Sequence, residues 1–223
     1  MIIDSHAHLT CDAIYPDVEV ILQRAKDAGI SHIFNICTDA PTLERGIELA
    51  KKHPWIHNVG ATTPHDVTEE GEKNFSLFES AAKNGKLVAV GETGLDYYYE
   101  HSPKDLQKTY FEKYLALADE TNLPVVIHCR DAFDDLFAIA KGVPSLLLHC
   151  FTGTVDEAMR AVEQGWMVSL SGITTFKRSE QLRDVAREVP LSNLFVETDT
   201  PYLAPQSKRG KQNEPAFVLE TIE

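Results

Sequence analysis

Much of what would place this chain in an easy class is missing from it. Its four cysteines, Cys11, Cys37, Cys129 and Cys150, stand far apart, and none belongs to a Cys-x-x-Cys pair. Neither a disulfide framework nor a zinc ribbon is suggested, and a reducing compartment fits. No basic segment followed by an apolar core opens the chain, and no apolar run reaches the roughly 20 residues of a membrane span. The expected setting is the cytoplasm. Positive charge is scarce: 21 Lys and Arg stand against 34 Asp and Glu, for a formal net charge of −13. Such a surface repels phosphate backbones at long range and argues against a protein that coats nucleic acid. It leaves open an enzyme that draws a phosphate into a metal-lined pocket, because bound divalent cations invert the local field. There is no Gly-x-Gly-x-x-Gly turn, no low-complexity tract and no linker long enough to separate two domains.

What is present is alternation. Apolar, strand-like runs occupy 2–6, 32–37, 58–62, 86–91, 124–128, 145–150, 166–171 and 194–198. Between them lie helical patterns at 16–28, 41–52, 71–84, about 103–120, 131–141, 155–164 and 179–188. In the first of these, Val18, Ile21, Leu22 and Ala25 recur at helix spacing and Gly29 follows as a stop. Eight largely apolar strands, each followed by a helix, predict an α/β fold of the (β/α)8 TIM-barrel type, one domain over residues 1–223. The chain is slightly short of the about 250 residues typical of such barrels. Its last helix, beginning near Glu214, reads as incomplete, which predicts an under-covered seam between the first and last strands. Nothing in the sequence demands an obligate protein partner, and a monomer is expected.

The chemistry-bearing residues gather at the predicted strand ends, where such barrels place their working groups. The first strand runs into Asp4-Ser5-His6-Ala7-His8. Residues two apart on a strand point to the same side, so His6 and His8 present two imidazoles together. Glu92 follows the fourth strand, His128 and Arg130 the fifth, His149 the sixth, and Glu197 and Asp199 the eighth. Imidazoles and carboxylates beside a buried barrel core are costly unless something binds them. Four imidazoles and two carboxylates exceed what one zinc takes and suit two divalent ions. Glu92 would bridge them, with His6, His8 and Asp199 on one ion and His128 and His149 on the other. The mixed nitrogen and oxygen set leaves Mg²⁺, Mn²⁺ and Zn²⁺ all open. Cys129 and Cys150 each follow a candidate ligand and are expected to face the helices. Lys208, Arg209 and Lys211 form a basic cluster after the last strand, where a nucleic-acid backbone could be met. Tyr97, Tyr98, Tyr99, Phe176 and Tyr202 stand in strand-end loops, where bases could stack.

With these motifs in view, the chain resembles the TatD family of metal-dependent deoxyribonucleases. The likeness rests on Asp4-Ser5-His6-Ala7-His8-Leu9, on Gly91-Glu92-Thr93-Gly94-Leu95-Asp96-Tyr97, on His128-Cys129-Arg130 and on His149-Cys150-Phe151-Thr152-Gly153. It closes with Glu197-Thr198-Asp199-Thr200-Pro201-Tyr202 and Arg209-Gly210-Lys211-Gln212-Asn213-Glu214-Pro215. The resemblance implies the same six ligands, His6, His8, Glu92, His128, His149 and Asp199. It also implies a metal-activated water that attacks a phosphodiester of single-stranded DNA or RNA from the 3′ end, with Glu92 and Asp199 as the catalytic carboxylates. Arg130 and His65 are the implied substrate contacts. Thr63 stands where the family commonly has the first histidine of a His-Pro-His run. Other readings are an amidohydrolase or esterase, such as a D-aminoacyl-tRNA deacylase, or a metal-binding member with impaired catalysis. Many amidohydrolase barrels bridge their metals with a carbamylated lysine on strand four; Glu92 in that place favours the nuclease branch.

Overall fold

The computed structural model describes residues 1–223. Eight parallel strands follow one another around a single sheet in chain order: β1 (Ile2–Ala7), β2 (Ile30–Cys37), β3 (Ile56–Gly60), β4 (Ala89–Asp96), β5 (Val125–Arg130), β6 (Leu146–Leu148), β7 (Met167–Leu170) and β8 (Leu194–Val196). Parallel neighbours need a crossover, and a helix supplies each one. These are α1 (Val18–Asp27), α2 (Ala40–Lys52), α3 (Val67–Lys83), α4 (Lys104–Thr121), α5 (Phe133–Ile139), α6 (Val155–Glu163) and α7 (Glu180–Glu188), with α8 (Leu219–Ile222) at the end of the chain. No helix is long and apolar enough to cross a membrane.

The helices form because their apolar residues line one face, and two of them have capped starts. Asp39 caps α2 reciprocally with Thr42, and Thr154 caps α6 with Glu157. Strand residues alternate between two cores. Ile36, Val59, Ala89 and Val126 point into the barrel and pack with Phe34 and Leu147. The main core, between sheet and helices, centres on Phe78, Phe111, Tyr114 and Trp166, all fully buried.

The ring closes at its mouth. β1 and β8 share no ladder along their length, but Ala7 bridges Thr200 in parallel. The Asp199 N–H donates to the His6 carbonyl at 2.9 Å, and the His8 N–H donates to the Thr200 carbonyl at 2.8 Å. Two boundaries differ from expectation in ways that matter. β4 continues past Gly91 to Asp96, so Glu92 lies inside a strand. The seam expected to be under-covered is filled by the 3₁₀ turn Pro215–Val218, whose Val218 is fully buried in a cluster with Ile21 and Leu22 of α1.

Candidate metal centre

β1 delivers His6 and His8 side by side because the strand alternates. β4 delivers Glu92 through an irregularity: its pairing with β5 shifts register between Val90 and Thr93. Such a bulge re-aims a side chain. Asp199 lies just beyond β8 with φ +58°, in the left-handed region. The hydrogen bonds on both sides of it, to the His6 carbonyl and from the Tyr202 N–H at 2.7 Å, hold it there.

The six candidate ligands meet at the mouth of the barrel. Glu92 is 6% exposed and sits at their centre. Its Oε2 lies 3.3 Å from His6 Nε2 and 3.7 Å from His8 Nε2. Its Oε1 lies 3.3 Å from His128 Nδ1 and 3.2 Å from His149 Nε2. Asp199 Oδ1 stands 3.6 Å from His6 Nε2 and 3.5 Å from His8 Nε2. The two imidazole nitrogens of each group are themselves 3.3 Å (His6, His8) and 3.4 Å (His128, His149) apart.

These spacings fit a divalent ion. Ligand atoms held tetrahedrally at about 2.0–2.2 Å from one ion are about 3.3–3.6 Å from each other. Every measured edge is near that range, and several are long and unaligned for hydrogen bonds. The donors form two groups, His6, His8, Asp199 with Glu92 Oε2, and His128, His149 with Glu92 Oε1, so the residues present fit two ions sharing one carboxylate.

The far nitrogens of the second group are also held. His128 Nε2 lies 2.9 Å from Asp96 Oδ2, and His149 Nδ1 lies 3.2 Å from Glu197 Oε1. Carboxylates so placed fix which ring nitrogen carries the proton and leave the other free for a cation. His6 Nδ1 and Glu197 Oε2 are buried without partners. His6 stacks on His149, with ring centroids 3.8 Å apart.

Charge in this cradle is set by burial against neighbours. Burial would raise the Glu92 carboxyl, but the His149 charge and the close His128 and His6 rings hold it well below the usual carboxylate range. Burial also works against Asp96, yet His128 and the Tyr99 N–H pull it down to about 2. Burial and the adjacent His149 depress His6 to about 4, keeping the ring neutral and ligand-competent. Asp4, beneath the site, is pushed up to about 7 by burial, although Thr198 donates to it from both N–H and hydroxyl.

Arg130 and His65 sit on the rim. Arg130 makes no ion pair with Asp131 or Asp134; its guanidinium lies 3.8 Å from the Tyr98 ring centroid and 4.8 Å from that of Tyr99. His65 Nε2 is 3.7 Å from Asp96 Oδ2, and its ring lies 5.4 Å from that of His128. The Thr63 hydroxyl turns away to Asp66 at 2.8 Å. Cys129 enters the helix-side core as expected. Cys150 does not: β6 has ended, its φ is +42°, and its sulfur meets the Ser171 hydroxyl at 3.3 Å. Lys208 is likewise withdrawn from the expected basic cluster, paired with Glu220 at 3.2 Å. Asp4 is the acidic group that sequence reasoning passed over, though it shares strand parity with His6 and His8.

The family described as TatD related DNase matches residues 3–223. An uncharacterized metal-dependent hydrolase of Bacillus subtilis, YabD, is 36% identical over 227 residues, covering 100% of this chain and 89% of its own length. The 3′-5′ ssDNA/RNA exonuclease TatD of Erwinia tasmaniensis is 31% identical, covering 99% of this chain and 89% of itself. Among solved structures, the TatD homologue YjjV of Escherichia coli K12 superposes with a TM-score of 0.92 at 28% identity, covering 98% of this chain and 86% of that one.

Proposed function

The chain belongs to the TatD-related DNase family of metal-dependent hydrolases, and from that premise we propose that it hydrolyses phosphodiester bonds of single-stranded nucleic acid from the 3′ end. The observation that carries the reading is Glu92, one carboxylate with each oxygen facing its own pair of imidazoles. Divalent ions bound to the two groups would neutralise phosphate charge and acidify a water between them.

The chain's own residues do the rest. Asp199, at the open edge of the first group, accepts the proton of the attacking water. Glu92 stays ionised through its four histidine neighbours and holds the two groups in one fixed relation. Asp96 and Glu197 keep His128 and His149 in the tautomers that leave Nδ1 and Nε2, respectively, free for the cation. Arg130, preset as a plane on Tyr98, offers its paired N–H groups to a phosphate oxygen. His65 faces the same side. Attack by water needs no covalent enzyme intermediate.

The experiment is a substrate panel with added Mg²⁺, Mn²⁺ or Zn²⁺: single-stranded DNA, RNA, duplex DNA, D-aminoacyl-tRNA and small amides. Single strands are expected to be shortened from the 3′ end, and Glu92→Gln or Asp199→Asn to remove the activity. Cleavage of amides alone, or full activity in either variant, overturns the reading.

A further inference from the structure

The mouth of the barrel is divided by charge. Most of the 21 Lys and Arg stand beside a carboxylate, as Arg183 does with Glu180 at 2.7 Å. Five that do not lie at the mouth: Arg130 ends β5, and Lys177, Arg178, Arg209 and Lys211 stand in the segments that follow β7 and β8. The others without a carboxylate, Lys26, Lys86 and Lys141, lie at the opposite end, where the strands begin. In a chain of net charge −13 this segregation is notable. The carboxylates that flank Lys177, Arg178, Arg209 and Lys211 in sequence are already taken. Glu180 is held by Arg183 and Arg187, Glu220 by Lys208, and Glu214 by Arg24.

Four of the five cations share one shelf. Arg209 lies over the Phe176 ring, 4.5 Å from its centroid, and Lys177 and Arg178 continue the chain from Phe176, exposed. The Gln206 N–H donates to the Thr175 hydroxyl at 2.8 Å, tying the loop after β8 to the loop after β7. Arg183 braces the latter from below, donating to the carbonyls of Thr174 and Phe176 at 3.0 and 2.8 Å. Tyr202 begins the shelf at the metal centre. It is 57% exposed, and its ring stands edge-on to His8 with centroids 5.9 Å apart. Beyond Arg130 the other flank is acidic and unsuited to phosphate: a cleft of about 550 Å³ between the loops after β5 and β6 is lined by Asp131, Asp134, Asp135 and Glu157.

We propose that the β7–β8 shelf is the track along which a single nucleic-acid strand reaches the centre. Phosphates lie on Lys177, Arg178, Arg209 and Lys211, and a base stacks on Tyr202. The acidic β5–β6 flank turns the backbone away. Cations without intramolecular partners release counterions when phosphates arrive, and exposed aromatic rings accept any base. The proposal rests on the nuclease reading but fails separately from it.

The test is binding of a fluorescein-labelled oligothymidylate with phosphorothioate linkages, followed by anisotropy in Mg²⁺ at rising salt. The four shelf contacts together with Arg130 predict a slope of log affinity against log salt of about −3.5, a loss of about 130-fold between about 50 and about 200 mM. Lys177→Ala, Arg178→Ala, Arg209→Ala and Lys211→Ala combined should reduce the slope to about −0.7, the share of Arg130, and weaken binding at low salt by tenfold or more, on the order of the lost contacts. The control, Lys26→Ala, Lys86→Ala and Lys141→Ala combined, should keep the wild-type slope. An unchanged slope in the quadruple variant, an equal loss in the control, or no measurable binding by the wild type overturns the track. Hydrolysis of a small phosphodiester by the wild type, scored apart, tests the chemistry of the centre alone.

Discussion

Asp96 joins the metal centre to the rim. One oxygen meets His128 Nε2, and the other accepts from the N–H groups of Tyr98 and Tyr99 at 3.0 and 2.7 Å. Those rings carry Arg130. Asp96→Asn keeps the shape but loses the charge that fixes the His128 tautomer, so affinity for Mn²⁺ should fall by about 10- to 100-fold. Calorimetric titration measures this, and equal affinity in both proteins would leave Asp96 without that role. Asp4 governs a different observable. Its folded pKa of about 7 lies above its ordinary value of 3.8, so the folded state keeps a proton that the unfolded state releases. Stability therefore falls as pH rises from about 4 to about 7, by at most about 4 kcal/mol, and stays lowered above that. Asp4→Asn cannot ionise, and its amide oxygen can still accept from the Thr198 N–H. In chelator-treated protein its melting temperature should gain on the wild type across that window and level off beyond it; parallel curves would exclude the effect. At this scale His6 and His8 were legible because strand parity is a local rule. The hydrogen bonding of Asp4 was not, since its partner Thr198 lies nearly two hundred residues away.

Among the elements, β4 departs most from its sequence pattern. The expected strand ends at Gly91, and Gly91 and Gly94 take φ of +153° and +135°. Pairing of Thr93–Asp96 with Ile127–Arg130 of β5 carries the strand through them. The reason for glycine is close approach: a Cβ at Gly94 would strike the His128 carbonyl. α2 shows the same constraint in a helix. A Cβ on Gly46 would come within 2.6 Å of Asn58 Oδ1 and 2.9 Å of Asn35 Nδ2 and Cys37 Sγ. Asn35 donates to Asn58 at 2.9 Å in that buried cluster, so the neighbours have little freedom to give way. Gly46→Ala raises helix propensity yet should cost about 1–3 kcal/mol by overpacking. Thermal melting should show a drop of several degrees, and a gain would mean that the helix shifts outward freely. Helix existence was legible from spacing. Helix starts were less so: α3 begins at Val67, ahead of the expected 71, because its first turn carries Glu69 and Glu70 and little apolar signal.

For the molecule as a whole, the centre is a liability until something binds it. Buried imidazoles and carboxylates converge where β1 and β8 close, and the closing hydrogen bonds come from His8 and Asp199 themselves. Metal binding and barrel closure should therefore be coupled. A divalent ion at about one hundred times its dissociation constant adds about 2.7 kcal/mol per site, or roughly 5–10 °C in melting temperature for a chain of this size. Chelation should lower the transition and Mn²⁺ or Zn²⁺ restore it; a melting curve indifferent to both would argue against a resident metal.

The sequence by itself determined the alternation of eight strands and their helices, the ligand types and their placement at strand ends. Each of these follows from local periodicity and from chain order around a barrel. Tertiary structure decided the rest. It set which oxygen of Glu92 faces which imidazoles, how Asp96 and Glu197 orient the second group, and how Pro215–Val218 covers the seam. It also withdrew Lys208 to Glu220 while leaving Lys177, Arg178, Arg209 and Lys211 without carboxylate partners. A charged side chain's function depends on whether a carboxylate lies within reach, and that is a matter of distances between segments far apart in the chain.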